Sequence, residues 1–140
     1  MTDSPLVADT DTARANAAVV VGFFETVLGP SHGTSELTRY LDPGFIDHDA
    51  QGDDRGLTGV TAKLDGLWSA LPDAFYVVDA VGAAGEHVAV RSRLVAPAAG
   101  SAPAAEVAFA DTYRVVGGLI AEHWHVVDTA ALGALLASRT

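Results

Sequence analysis

The stretch Val107-Ala108-Phe109-Ala110-Asp111-Thr112-Tyr113-Arg114-Val115-Val116, followed by Gly117-Gly118 and then Leu119-Ile120-Ala121-Glu122-His123-Trp124-His125-Val126-Val127, decides the fold. Both halves are β-branched and aromatic at a period of two, and the glycine pair between them supplies a turn. The period predicts two antiparallel strands and puts Asp111 on the face of Phe109, Tyr113 and Val115.

Upstream, residues 75–81 and 87–95 have the same character, so four successive strands are expected as an antiparallel meander. The small, uncharged run Ala96-Pro97-Ala98-Ala99-Gly100-Ser101-Ala102-Pro103-Ala104-Ala105 suits an exposed hairpin loop. Before the strands the period lengthens. Ala17, Val20, Phe24 and Leu28 stand at helical spacing within residues 13–28, and Gly29-Pro30 stops that helix. A shorter helix over 35–41 is closed by Asp42-Pro43-Gly44, because a residue before proline is pushed out of the helical region. Residues 45–48 then read as a short strand. Thr58 is expected to cap a further helix whose apolar stripe is Val60, Leu64, Leu67, Trp68 and Leu71, with Pro72 ending it. Residues 130–137 form a closing helix. Helices first and strands later predict an α+β domain, a curved antiparallel sheet wrapped around the helices, with an apolar pocket between the layers.

At 140 residues the chain has room for one core, read as a flexible N-terminus over 1–10 and a single domain over 11–140. Eight basic against eighteen acidic residues give a net charge of −10, which repels phosphate backbones and anionic lipid surfaces. Neither nucleic acid nor a membrane is expected as a partner. Without cysteine there is no disulfide framework, thiolate zinc site or cysteine nucleophile. The opening Met1-Thr2-Asp3-Ser4-Pro5 has no basic segment of a signal peptide, and the apolar residues 17–24 are too few to span a bilayer. A soluble, cytoplasmic protein is expected.

Three stretches carry a family resemblance: Tyr40-Leu41-Asp42-Pro43-Gly44-Phe45-Ile46-Asp47-His48-Asp49; Leu71-Pro72-Asp73-Ala74-Phe75; and Asp111-Thr112-Tyr113-Arg114 with Gly118-Leu119-Ile120-Ala121-Glu122-His123-Trp124. In order and spacing, over roughly residues 13–132, they resemble the SnoaL-like polyketide cyclases. The wider nuclear-transport-factor-2-like superfamily includes ketosteroid isomerase and limonene-epoxide hydrolase. The resemblance implies a cone-shaped domain that binds a small organic molecule and pairs as a homodimer through its outer sheet face. Activities in the superfamily differ, so function has to come from the site.

Asp111 is either a desolvated acid, kept neutral by burial so that it donates to a developing oxyanion, or a structural partner of Arg91, Arg93 or Arg114. The resemblance aligns it with the acid of ketosteroid isomerase, which uses that device. His48 shares a strand face with Ile46 and, by resemblance, stands where the isomerase carries its proton-abstracting Asp. An imidazole is a suitable base near neutrality, and a rim histidine is the structural alternative. Arg91 and Arg93 share one face and reach a common carboxylate or substrate oxygen. By resemblance to the epoxide hydrolases, Arg91, Asp111 and Asp128 would act together, although Asp128 also suits the N-cap of the last helix. His123 and His125 share a face as pocket-rim residues; no third metal ligand is seen beside them, so no metal and no cofactor are expected. Phe24, Trp68 and Tyr113 complete the expected pocket. Phe23 and Phe24 occupy the region of the isomerase's oxyanion-binding Tyr and cannot donate, which leaves Tyr40, Tyr76 or Tyr113 to project from elsewhere. The leading expectation is a cofactor-independent cyclase or isomerase acting on a polyketide-like carbonyl compound. Epoxide opening and plain ligand binding are the alternatives.

Overall fold

The computed structural model describes residues 5–49 and 52–139. Strand β1 (Leu6–Ala8) precedes helix α1 (Asp11–Thr26), a 3-10 turn (Thr34–Arg39), strands β2 (Leu41–Asp49) and β3 (Gly52–Arg55), and helix α2 (Leu57–Ala70). Strands β4 (Phe75–Ala84), β5 (His87–Ala96), β6 (Ala105–Val116) and β7 (Leu119–Val127) follow, and helix α3 (Thr129–Ala137) closes the chain.

Helix α1 begins where the Thr10 hydroxyl accepts from the Ala13 N–H at 3.0 Å, with Asp11 in the first turn facing the positive end of the helix dipole. Ala13, Ala17, Val20, Phe23 and Phe24 are its buried stripe. It ends before Gly29, where an added Cβ would sit 2.4 Å from the Glu25 carbonyl oxygen. Helix α2 starts two residues earlier than the expected Thr58 cap implies. Gly56, at φ 79°, occupies the capping position and makes no side-chain cap.

The strands form one seven-stranded sheet in the order β1-β4-β5-β6-β7-β2-β3. Strands β4 to β7 are the expected antiparallel meander. The two edges add what local periodicity did not disclose: β1 pairs with β4, and β2 with β7, both in parallel. A parallel pair joins strands through a long crossover rather than a tight turn, so no local signal marks it. Within the segment expected as a flexible N-terminus, residues 6–8 form β1.

Inward positions alternate along the strands. Val88, Val90, Ser92 and Leu94 of β5, and Val107, Phe109, Asp111, Tyr113 and Val115 of β6, are buried on the face the helices cover. Outward positions such as Ala89, Arg91, Ala108 and Ala110 are exposed. The helices therefore cover one face of the sheet, and most of the apolar core lies between the layers. No helix among the described residues is long and apolar enough to cross a membrane.

Candidate active site

Between α1, α2 and the inner face of the sheet lies a cavity of about 160 Å3. Phe23, Phe24 and Leu28 of α1, Val60, Leu64 and Leu67 of α2, and Tyr76, Phe109 and Tyr113 of the sheet make most of its wall. Its polar groups gather at one end: Asp47, Lys63, Asp111, His123 and His125. An apolar chamber with a few convergent titratable groups is the usual form of a small-molecule site.

Register brings the polar residues together. On β6 and β7, Asp111 pairs with His125 and Tyr113 with His123, so all four side chains face inward. Asp47 pairs with His123 across the parallel β2–β7 contact. His123 therefore lies between two carboxylates, its Nδ1 3.0 Å from Asp47 Oδ1 and its Nε2 2.7 Å from Asp111 Oδ1. The Tyr113 ring stacks on the imidazole with centroids 4.5 Å apart. Lys63 of α2 donates to Asp47 Oδ2 at 3.1 Å, and Ser92 stands 3.5 Å from Asp111 Oδ2.

Burial by itself would drive the proton off His123. Hydrogen bonds to Asp111 and Asp47, and the charges of both carboxylates, outweigh that effect and hold the imidazole protonated above the ordinary histidine range. Burial likewise opposes ionisation of Asp47, but His123 and Lys63 together bring its pKa down to about 2. With two carboxylates, one imidazolium and one ammonium, the cluster carries little net charge. That is the condition under which ionised groups persist in a desolvated site.

A family model for SnoaL-like polyketide cyclases matches residues 18–136. This chain belongs to that family. Among solved structures, it superposes on a putative SnoaL-like polyketide cyclase from Jannaschia sp. CCS1 with a TM-score of 0.80 at 18% identity, covering 93% of this chain and 96% of that one. A putative polyketide cyclase from Bacillus cereus ATCC 10987 gives 0.80 at 15% identity, covering 100% and 97%. IdmH, a putative polyketide cyclase from Streptomyces antibioticus, gives 0.71 at 21% identity, covering 87% and 98%. These likenesses are of fold. Comparison with curated proteins finds no match.

Within this SnoaL-like frame, several residues picked out from the sequence meet: Phe24, Tyr113, Asp111, His123 and His125 all line the cavity. His48 does not join them. It does share a face with Ile46, but that face is the outer one, where His48 Nε2 bonds Glu122 Oε2 at 2.8 Å and its ring stacks on Trp124 at 4.9 Å. The inward face of β2 carries Phe45 and Asp47, 2% and 4% exposed. The expectation that His48 and Asp111 face each other across one cavity is therefore corrected: the neighbour, Asp47, is the residue turned inward.

Arg91 is exposed on the outer sheet face. Arg93 lies on that face too, bound to Asp79 at 2.9 Å and to Glu106 at 2.6 Å. Asp128 accepts from the Ala131 N–H at 3.0 Å as the N-cap of α3. Trp68 is buried against His32, ring to ring at 3.8 Å, and packs edge to face behind Tyr76 without itself lining the cavity. Sequence reasoning missed Asp47 and Lys63 altogether. Lys63 stands three residues after Val60 and one before Leu64, a helical spacing that puts it beside the apolar stripe. The third ligand judged missing for a metal beside His123 and His125 is also present, since Asp47 offers an oxygen with all three ligand atoms within 4.8 Å of one another. In this arrangement both nitrogens of His123 are already engaged by carboxylates, and Lys63 holds the other oxygen of Asp47.

Proposed function

We propose that the protein is an acid–base enzyme of the cyclase or isomerase type acting on a small carbonyl compound, with Asp111 as the group that takes and returns the proton. One observation carries this reading: the hydrogen-bonded chain Asp47–His123–Asp111 at the polar end of an otherwise apolar cavity. His123, donating through both nitrogens, fixes the Asp111 carboxylate in place. Asp47, held by Lys63, fixes the imidazole.

In the step we assign, Asp111 removes a proton from the carbon next to a substrate carbonyl. The C–H electron pair moves into the ketone and leaves the charge on oxygen as an enolate. The enolate carbon then attacks a second carbonyl to close a ring, leaving an alkoxide that takes the proton, or, where a neighbouring C=C makes it a dienolate, the far carbon takes the proton and the double bond shifts. Both outcomes return the proton through Asp111. His125 makes no hydrogen bond to the described residues and is available to a substrate oxygen. The wall of apolar side chains contributes by excluding water and aligning the reacting atoms. The epoxide reading loses its other two members, since Arg91 and Asp128 lie outside the cavity. We also propose that the protein is a homodimer joined through the outer sheet face.

The test is deuterium incorporation into a cyclic 1,3-diketone in heavy water, followed by NMR. We expect exchange accelerated by the wild type and not by folded Asp111→Ala protein. Equal exchange by both would leave Asp111 without a catalytic role, and tight binding with no exchange by either would favour a plain binding domain.

A further inference from the structure

Much of the cavity wall is made of aromatic rings already packed edge to face. Phe24 meets Tyr113 at 6.0 Å and 89°, and Tyr76 at 6.2 Å and 87°; Tyr76 meets Phe109 at 5.1 Å and 71°. Phe24, Phe109 and Tyr113 are 2%, 9% and 3% exposed, so this wall does not yield without dismantling core contacts. Space is therefore set by the rings. A cavity of about 160 Å3 is close to the ~150 Å3 of an engineered apolar cavity that holds one benzene, and well below the ~300 Å3 at which pockets for larger ligands begin.

Two hydroxyls on this wall are unused. Tyr40 bonds Thr26 at 2.9 Å, whereas the hydroxyls of Tyr76 and Tyr113 make no hydrogen bond with any described residue. Burial first, and then the charge of Asp111, push both phenols above the ordinary tyrosine range, so each remains a donor. Tyr76 comes from β4 and Tyr113 from β6, and both line the cavity that Asp111 also lines.

We infer that the ligand of this cavity is a single-ring oxygenated compound, a cyclic enol or phenol-like carbonyl, whose oxygen is held by the hydroxyls of Tyr76 and Tyr113. The inference rests on the acid–base reading for its chemistry. Its size limit and its donors stand on the cavity itself. An enolate forming beside Asp111 would have its negative oxygen met by neutral donors in a desolvated wall, where such bonds strengthen as charge develops. A multi-ring substrate exceeds the volume enclosed between the helices and the aromatic wall.

The test uses phenol, 2-naphthol and 2-anthrol as enol analogues and benzene as a control, with binding followed by calorimetry on the full chain. Phenol is expected to bind, and 2-anthrol at least about tenfold more weakly despite its larger apolar area. Tyr76→Phe and Tyr113→Phe should each weaken phenol about tenfold and leave benzene unchanged, in variants whose circular dichroism and melting match wild type. Anthrol binding as tight as phenol would overturn the size limit. Phenol binding indifferent to both substitutions, or benzene lost along with phenol, would overturn the donor assignment. Because these readouts are affinities, they stand or fall independently of deuterium exchange by Asp111.

Discussion

Asp47 and His48 are neighbours in sequence and lie on opposite faces of the sheet. Replacing His48 by Ala removes a bond to Glu122 and a stack on Trp124, and we expect exchange activity within about twofold of wild type. Replacing Asp111 by Asn keeps the shape but not the proton acceptor, and should cost about a hundredfold or more in rate, the scale of a lost general base. Asp47 has a pH signature. Its folded pKa of about 2 lies below the usual 3.8, so its contribution is full above about pH 4 and fades as pH falls toward 2. That contribution is about 2 kcal/mol by the size of the shift. His123 runs the other way: its raised pKa stabilises the fold below about pH 6.5 and is lost as pH climbs through the folded value. Melting of wild type and Asp47→Asn across pH should therefore converge at the acid end and stay apart near pH 5. Asp111 was legible because β6 alternates without interruption from Val107 to Val115. The phase of β2 was not, since Phe45 with Asp47 and Ile46 with His48 are equally good apolar–polar pairs. The register shift between Leu41 and Ile46 erases the reference that Leu41 would have given.

At the scale of elements, the caps separate two readings of one residue. Asp128→Ala should cost about 1 kcal/mol of stability through α3 and leave exchange intact, measured by denaturant unfolding and NMR. Loss of activity in a folded variant would return Asp128 to the chemistry. The stripe of α2 was legible from its spacing. Its start was not, because Thr58 offered an ordinary capping side chain whereas the actual cap, Gly56, acts through a positive φ that sequence pattern only hints at. The meander and its long turn were legible for the opposite reason. There the strand period, the glycines and the 96–105 run all point the same way.

Taken whole, the sheet exposes a face of small residues, Ala80, Gly82, Ala89, Ala108 and Ala110, around Arg91, Thr112 and Trp124. A dimer through this face predicts twice the chain mass by light scattering at micromolar concentration. Arg91→Glu should shift the population toward monomer without touching the cavity. What the sequence hid at this scale was pairing between distant segments, the parallel edges β1–β4 and β2–β7. The second of these has a kinetic corollary. Asp47 and His123 are 76 residues apart, so the β2–β7 pairing closes a long loop, and we expect it to form after the local hairpins of the meander. The reactive cluster would then be absent from the folding transition state. In stopped-flow chevrons, Asp47→Asn should accelerate unfolding and leave the refolding limb almost unmoved, a φ-value near zero. A protein built this way would acquire its chemistry late in folding and give it up early in coming apart.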